Sequence, residues 1–332
     1  MIQVGLLGAG FIGATHAAAF ARLEGVQLAA VADANRAAAD QLAARHGARA
    51  CYTIAEVLED PEITAVSICL PTFLHAATVV AAAEHGKHLL CEKPLALSLD
   101  DVDRMQAAVE KAGVKAMVAQ VIRFWPEYVR IREALADGRL GAARLATGTR
   151  LASPPTWGEW FKDPAKSGGA LFDLHIHDLD FVYSLFGQPQ TVYAVGGRGP
   201  AGGWDHVITN LDYGDHQAVL EASYAFPPGF PFQMSFRLTG EAGCVDFLFG
   251  GVAQVDQRSA AQTNLVLYRR GAAPEFLTPP AEDGYQAEIR YFCACLAEDR
   301  APAVATLAQA REVLTIALAA KQSLETGAVV RL

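Results

Sequence analysis

The chain has 332 residues, 52% hydrophobic and 19% charged, which is enough for two domains with separate cores and leaves no compositional sign of disorder. Its 27 basic and 36 acidic residues give a net charge of −9 with no long basic run, which argues against nucleic acid or an anionic membrane surface as a partner. No apolar run reaches membrane-spanning length and the first residues already read as a strand, so no signal peptide or membrane span is expected, and the expected location is cytoplasmic.

Residues 2–7 form a short apolar run closed by Gly8-Ala9-Gly10-Phe11-Ile12-Gly13, and an alanine-rich stretch over 14–21 follows. That order predicts a buried strand, a tight turn and a helix. Glycine at position 8 permits the turn, at 10 leaves room for a pyrophosphate, and at 13 lets the helix lie close on the strand. The helix start offers N–H groups and a positive dipole end to phosphates. Asp33 follows at the interval expected of the acid that ends the second strand and accepts from the adenosine ribose hydroxyls.

Helix and strand patterns then alternate: helix over 35–46, strand near 50–52, a capping box at Thr53-Ile54-Ala55-Glu56, strand over 65–70, helix over 74–84 and strand over 88–91. Such alternation predicts a doubly wound parallel sheet, because parallel neighbours need a crossover. Ligands bind beyond the carboxyl ends of these strands, which places Gly8 to Gly13, Asp33, Pro71-Thr72 and Glu92-Lys93-Pro94 on one rim. Lys93 ends a strand two residues after Cys91. It reads equally as an amine aimed at a nicotinamide, usable for proton transfer or for polarising a hydroxyl, and as a surface lysine. A helix over 98–112, capped by Ser98 and stopped by Gly113, leads to a strand over 115–122, and the domain boundary is placed near Ile122.

Beyond a helix from Pro126 to about Asp137, period-two alternation recurs at 143–151, 191–197, 206–213, 218–226, 232–238, 244–249 and 265–269. It predicts a large, mostly antiparallel open sheet with one face covered by helices and the other a candidate subunit interface. The fold class expected is therefore α/β: a Rossmann domain over 1–122 and an α+β domain over 123–332 for substrate binding and oligomerisation.

Ser167-Gly168-Gly169 opens an apolar helix over 170–186. Asp173, His177, Asp180 and Ser184 share one stripe of it, and His175 and Asp178 lie off the stripe. A buried carboxylate and imidazole one turn apart need partners. A chemical site and a self-satisfied Asp173–His177 pair are both consistent with the pattern. Metal binding by His175, His177 and Asp178 is disfavoured by their diverging helical phases. The six cysteines form no CxxC pair and read as reduced buried thiols, so no metal is expected.

Taken together these residues resemble the Gfo/Idh/MocA family of oxidoreductases, over essentially the whole chain. The resemblance is carried by the glycine turn, Asp33, Leu70-Pro71-Thr72 with His75, Glu92-Lys93-Pro94, Gly168-Gly169 leading to Asp173 and His177, and the closing Lys321-Gln322-Ser323-Leu324-Glu325-Thr326-Gly327. It implies a cis bond before Pro94. It also implies that Lys93, Asp173 and His177 are catalytic and meet near the nicotinamide, with His177 accepting the proton while the other two hold the reacting oxygen. In some relatives the lysine takes that proton instead.

The cofactor-binding set expected is Gly8, Gly10, Phe11, Ile12, Gly13, Asp33, Leu70, Pro71, Thr72, His75, Glu92, Lys93 and Trp160. Lys93, Gln120, Arg123, Asp173 and His177 are expected to bind substrate, with interdomain hydrogen bonding as the other reading of Gln120 and Arg123. Trp157, Trp160 and Phe161 either cover the cofactor or pack. Asp33 favours NAD; Arg36 lies close enough to keep NADP as the alternative but is expected to be an ordinary solvated helix residue.

The expected function is hydride transfer between the nicotinamide and a secondary alcohol or carbonyl of a sugar or polyol. A non-catalytic NAD(P)-binding sensor and a redox-assisted glycosidase are the alternatives. A homodimer or homotetramer through the C-terminal sheet is expected.

Overall fold

Six parallel strands form the sheet at the start of the chain. The structure, a computed structural model, describes residues 1–156, 158–252 and 262–332. It divides into two compact units, Met1–Phe124 with Glu282–Arg311 and Trp125–Ala281 with Glu312–Leu332.

In the first unit the elements run β1 (Ile2–Leu7), α1 (Phe11–Phe20), β2 (Val26–Ala32), α2 (Arg36–His46), β3 (Arg49–Cys51), α3 (Ala55–Leu58), β4 (Ala65–Ile68), α4 (His75–Glu84), β5 (His88–Glu92), α5 (Leu99–Ala112) and β6 (Ala116–Ala119). The sheet order is β3-β2-β1-β4-β5-β6, with every pairing parallel. Both faces are covered, so β4 is buried at every position. Strand order reverses between β1 and β4, and that reversal is where an open parallel sheet binds its ligand. Ser98 caps α5 by accepting from the Asp101 amide, and Gly113 closes it in the left-handed conformation.

The chain returns to this unit late. Helix Gly284–Ala297 packs Ile289 and Phe292 against Phe20, Val4 and Leu90, and the Val118 amide donates to the Ala305 carbonyl at 2.8 Å. A single boundary near 122, with 123–332 kept together, therefore differs from the contact division. The reason is physical: the apolar stripe of this helix has its burial partners in the first core.

The second unit contains α6 (Pro126–Ala136), β7 (Ala143–Leu151), α7 (Pro164–Ser167), α8 (Gly169–Asp173), α9 (Ile176–Phe186), β8 (Thr191–Arg198), β9 (Trp204–Asp212), β10 (Gln217–Ser223), β11 (Phe232–Gly240), β12 (Gly243–Val252), β13 (Gln262–Arg269), β14 (Glu275–Phe276) and β15 (Val330–Arg331). Its nine-stranded sheet has the order β14-β13-β12-β11-β7-β10-β9-β8-β15. All pairings are antiparallel except β7 with β10. In β11 the alternation holds, with Met234, Phe236 and Leu238 buried and Arg237 exposed. Phe181 of α9 meets Tyr128 edge-on at 4.7 Å and Phe236 at 4.9 Å between ring centroids.

A buried ion pair ties α9 to β7. Arg150 Nε donates to Asp178 Oδ2 and Arg150 Nη2 to Asp178 Oδ1, both at 2.9 Å. Two expectations are corrected here. The strand predicted over 218–226 stops at Ser223, and the continuous helix predicted over 170–186 is interrupted at Leu174-His175. At the interruption the His175 amide donates to the Ala170 carbonyl five residues back, a widened turn that shifts the phase between Asp173 and His177.

Candidate active site

The glycine turn is built as the spacing requires. Gly8 has φ +103°, and a Cβ there would strike the Cys69 carbonyl. A Cβ at Gly13 would strike the Gly8 carbonyl, so α1 lies hard against the turn. At Gly10 a Cβ would meet nothing within 4 Å, which leaves open the space a phosphate needs above the start of α1. Phe11 is exposed and Ile12 half-buried in the first turn of that helix. Asp33 follows β2 directly, and its carboxylate is fixed by two amides: Oδ2 accepts from Ala9 at 2.8 Å and Oδ1 from Asn35 at 2.7 Å. The turn and the acid thus form one rigid frame, which fits a dinucleotide.

Two buried histidines brace the neighbouring strand ends. The ring nitrogens of His75 lie 3.0 Å from the Pro94 carbonyl and 2.8 Å from the Leu70 carbonyl. Burial holds its pKa below the ordinary 6.5, despite the two carbonyls and Glu92 nearby. The neutral ring carries one N–H, which donates to one of these two carbonyls, while Pro71 and Thr72 continue from Leu70 into a short 3₁₀ turn over Thr72–Leu74. His16 Nε2 lies in ion-pair range of Glu92, 3.1 Å from its carboxylate. Lys93 leaves the end of β5 half-buried, and the Lys93–Pro94 peptide is cis.

The strand expected over 115–122 is shorter, ending at Ala119, with a 3₁₀ turn over Val121–Phe124. Gln120 is buried with its side-chain oxygen lacking a hydrogen-bond partner, and the Arg123 guanidinium donates to Gln309 at 2.6 Å.

In the second unit Asp173 is buried at the end of α8 and His177 is half-buried in the first turn of α9. The Tyr224 phenol donates to Asp173 Oδ2. Sequence patterning put Tyr224 on one face of its strand with Ala218, Leu220 and Ala222 but gave it no part in the site. A hydroxyl closing an apolar row was the available signal. His175 and Asp178 are spent on the fold, His175 on Thr209 at 2.9 Å and Asp178 on Arg150. Burial, with the Arg150 charge beside it, lowers the His175 pKa to about 3. Trp160 stacks on Phe161 at 4.0 Å. Trp157 lies outside the described residues. Among the described residues no group of three or more His, Cys, Asp or Glu side chains could hold a metal ion, and no helix is long and apolar enough to cross a membrane.

A doubly wound parallel sheet, a glycine turn open at its middle glycine and an anchored acid after β2 define a dinucleotide-binding oxidoreductase fold. Residues 2–120 match the family model described as "Oxidoreductase family, NAD-binding Rossmann fold", and residues 128–246 match the GFO/IDH/MocA C-terminal domain. The chain belongs to the Gfo/Idh/MocA family. Inositol 2-dehydrogenase of Rhizobium meliloti is 34% identical over 254 residues, covering 74% of each chain. Myo-inositol 2-dehydrogenase of Thermotoga maritima is 27% identical over 345 residues, 100% of this chain and 98% of its own. A solved levoglucosan dehydrogenase, in complex with NADH and levoglucosan, has a TM-score of 0.82 at 26% identity and covers 99% of both chains.

Proposed function

We propose that the chain is a dehydrogenase or reductase that moves a hydride between a nicotinamide cofactor and a secondary alcohol, or its carbonyl, on a sugar or polyol. The observation carrying this reading is that an oxidoreductase-family chain with inositol and levoglucosan dehydrogenases among its relatives holds Lys93 at the close of β5 and Asp173 and His177 around the widened turn of α8 and α9. The nicotinamide supplies the hydride acceptor or donor when bound.

In the oxidative direction the carbinol C–H pair leaves as hydride, the C=O bond forms, and the hydroxyl proton goes to the His177 imidazole. Lys93 donates a hydrogen bond to the same oxygen. Asp173, its carboxylate held by Tyr224, holds the reacting oxygen together with Lys93. Gly8, Gly10, Gly13 and the start of α1 would hold the pyrophosphate, and Asp33 the ribose. Because the Asp33 carboxylate would repel a 2′-phosphate, NAD is the preferred cofactor.

A panel of myo-inositol, scyllo-inositol, levoglucosan and common aldoses, followed by NADH absorbance, tests the reading. Turnover of at least one is expected. Tight NAD binding with no turnover would favour a sensor, and cleavage of aryl glycosides a redox-assisted glycosidase.

The strand register places Tyr193, Val195, Leu145, Leu248 and Tyr268 on the outer face of the nine-stranded sheet, all exposed. This apolar content supports pairing of that face with a second copy of the chain. A monomer by light scattering would contradict it.

A further inference from the structure

Behind the Glu92-Lys93-Pro94 corner runs a line of buried polar side chains that the proposed reaction does not use. His16 is fully buried on α1, three residues past Gly13. Its Nδ1 lies 2.8 Å from Ser67 Oγ on β4, which in turn lies 3.6 Å from Cys69 Sγ. Its Nε2 lies 3.1 Å from Glu92 Oε1, and the other carboxylate oxygen of Glu92 accepts from the main-chain amide of Lys93 at 3.0 Å. From helix Gly284–Ala297 the Tyr285 ring stands 6.4 Å away between centroids.

We propose that His16 is a positioning residue for Lys93: its imidazole holds the Glu92 carboxylate, the carboxylate holds the Lys93 amide, and the helix that begins at the dinucleotide turn thereby sets how Lys93 leaves β5. The inference rests on the reading of Lys93 as an amine that serves the reacting hydroxyl. Its neighbours on α1, Ala17 and Phe20, pack that helix with apolar side chains alone, so packing does not require an imidazole at position 16. A buried carboxylate, by contrast, keeps its charge only with a counter-charge or donors at hand. Burial works against a charged His16, but Cys69 and Glu92 outweigh it and hold the pKa well above 6.5. Ser67, Cys69, Glu92 and Tyr285 face this imidazole, with Glu92 supplying a carboxylate.

Hydrogen exchange at the Lys93 amide, read by NMR as protection relative to its intrinsic rate, tests the link on the full chain. In His16→Leu the protection of Lys93 should fall about tenfold while amides of β1 change by less than about twofold. Glu92→Gln should retain most of it, because its side-chain carbonyl still accepts from Lys93 and its amide can still donate to a neutral imidazole. In the wild type, protection of Lys93 should step down as pH rises through the His16 pKa, and the step should be missing in Glu92→Gln. If His16→Leu does not fold, that wild-type step decides alone. Unchanged Lys93 protection in His16→Leu, an equal loss across β1, or no pH step in the wild type would overturn the proposal. Turnover plays no part in this readout, so it fails separately from the reading of Lys93, which fails if Lys93→Ala keeps wild-type turnover.

Discussion

The Tyr224 phenol donates its hydrogen to the Asp173 carboxylate, joining the residue just past β10 to the last residue of α8. Burial, and then Asp173 itself, push the phenol's pKa well above the ordinary 10, so Tyr224 stays protonated and acts only as a donor. Tyr224→Phe keeps the ring and removes that donor. It should destabilise the fold by about 1–3 kcal/mol and lower kcat by about tenfold as Asp173 loses one of its anchors. Chemical denaturation and steady-state kinetics check both, and unchanged turnover would remove Asp173 orientation from the mechanism.

The glycine turn predicts two different failures. Gly10→Ala meets open space, so its melting temperature should stay near wild type while the affinity for NADH, read by fluorescence titration, falls by about tenfold or more as the methyl obstructs the phosphates. Gly13→Ala drives a methyl into the Gly8 carbonyl and should cost about 1–3 kcal/mol of stability as well as cofactor affinity. Equal effects of the two on melting would contradict this assignment of the glycines.

His175 predicts an acid limb in stability. In the unfolded chain it takes up a proton near pH 6.5, whereas in the fold burial and Arg150 hold it neutral down to about 3. Below pH 6.5 the unfolded state therefore binds more protons, and stability falls with pH until about 3, by a few kcal/mol in all. Denaturation midpoints between these limits should show the slope, and His175→Gln should flatten it. His16 has the opposite sign: its raised pKa contributes stability below 6.5 that is lost as pH rises through the folded value.

Cofactor choice is predicted to sit on Asp33, whose carboxylate is already oriented by the Ala9 and Asn35 amides. Wild type should use NAD in preference to NADP by about tenfold or more in kcat/KM, and Asp33→Asn should narrow the gap by removing the repelling charge. A strong wild-type preference for NADP would overturn the assignment.

The parallel half was legible because a strand buried on both faces reads as an unbroken apolar run, as in Ala65–Ile68, and because glycine at 8, 10 and 13 meets three separate steric demands. The return of Glu282–Arg311 to the first unit was not. An amphipathic helix announces that it will be buried but not against which core, and Phe292 finds its neighbours in Phe20 and Leu90 by tertiary packing alone. The interruption at Leu174-His175 was hidden for a related reason: neither residue is a helix breaker, and the widened turn arises while buried His175 reaches Thr209. Tyr224 and His16 were passed over because their value lies in partners far along the chain, Asp173 for one and Glu92 for the other.

The most direct measurement is single-turnover hydride transfer, followed by NADH absorbance, in wild type, Lys93→Ala and His177→Ala on a polyol or sugar that the wild type oxidises. Each substitution should slow the step by about a hundredfold or more, with NAD still bound and the fold intact by melting. Wild-type rates in either variant would contradict the assignment of these two residues to the reacting hydroxyl.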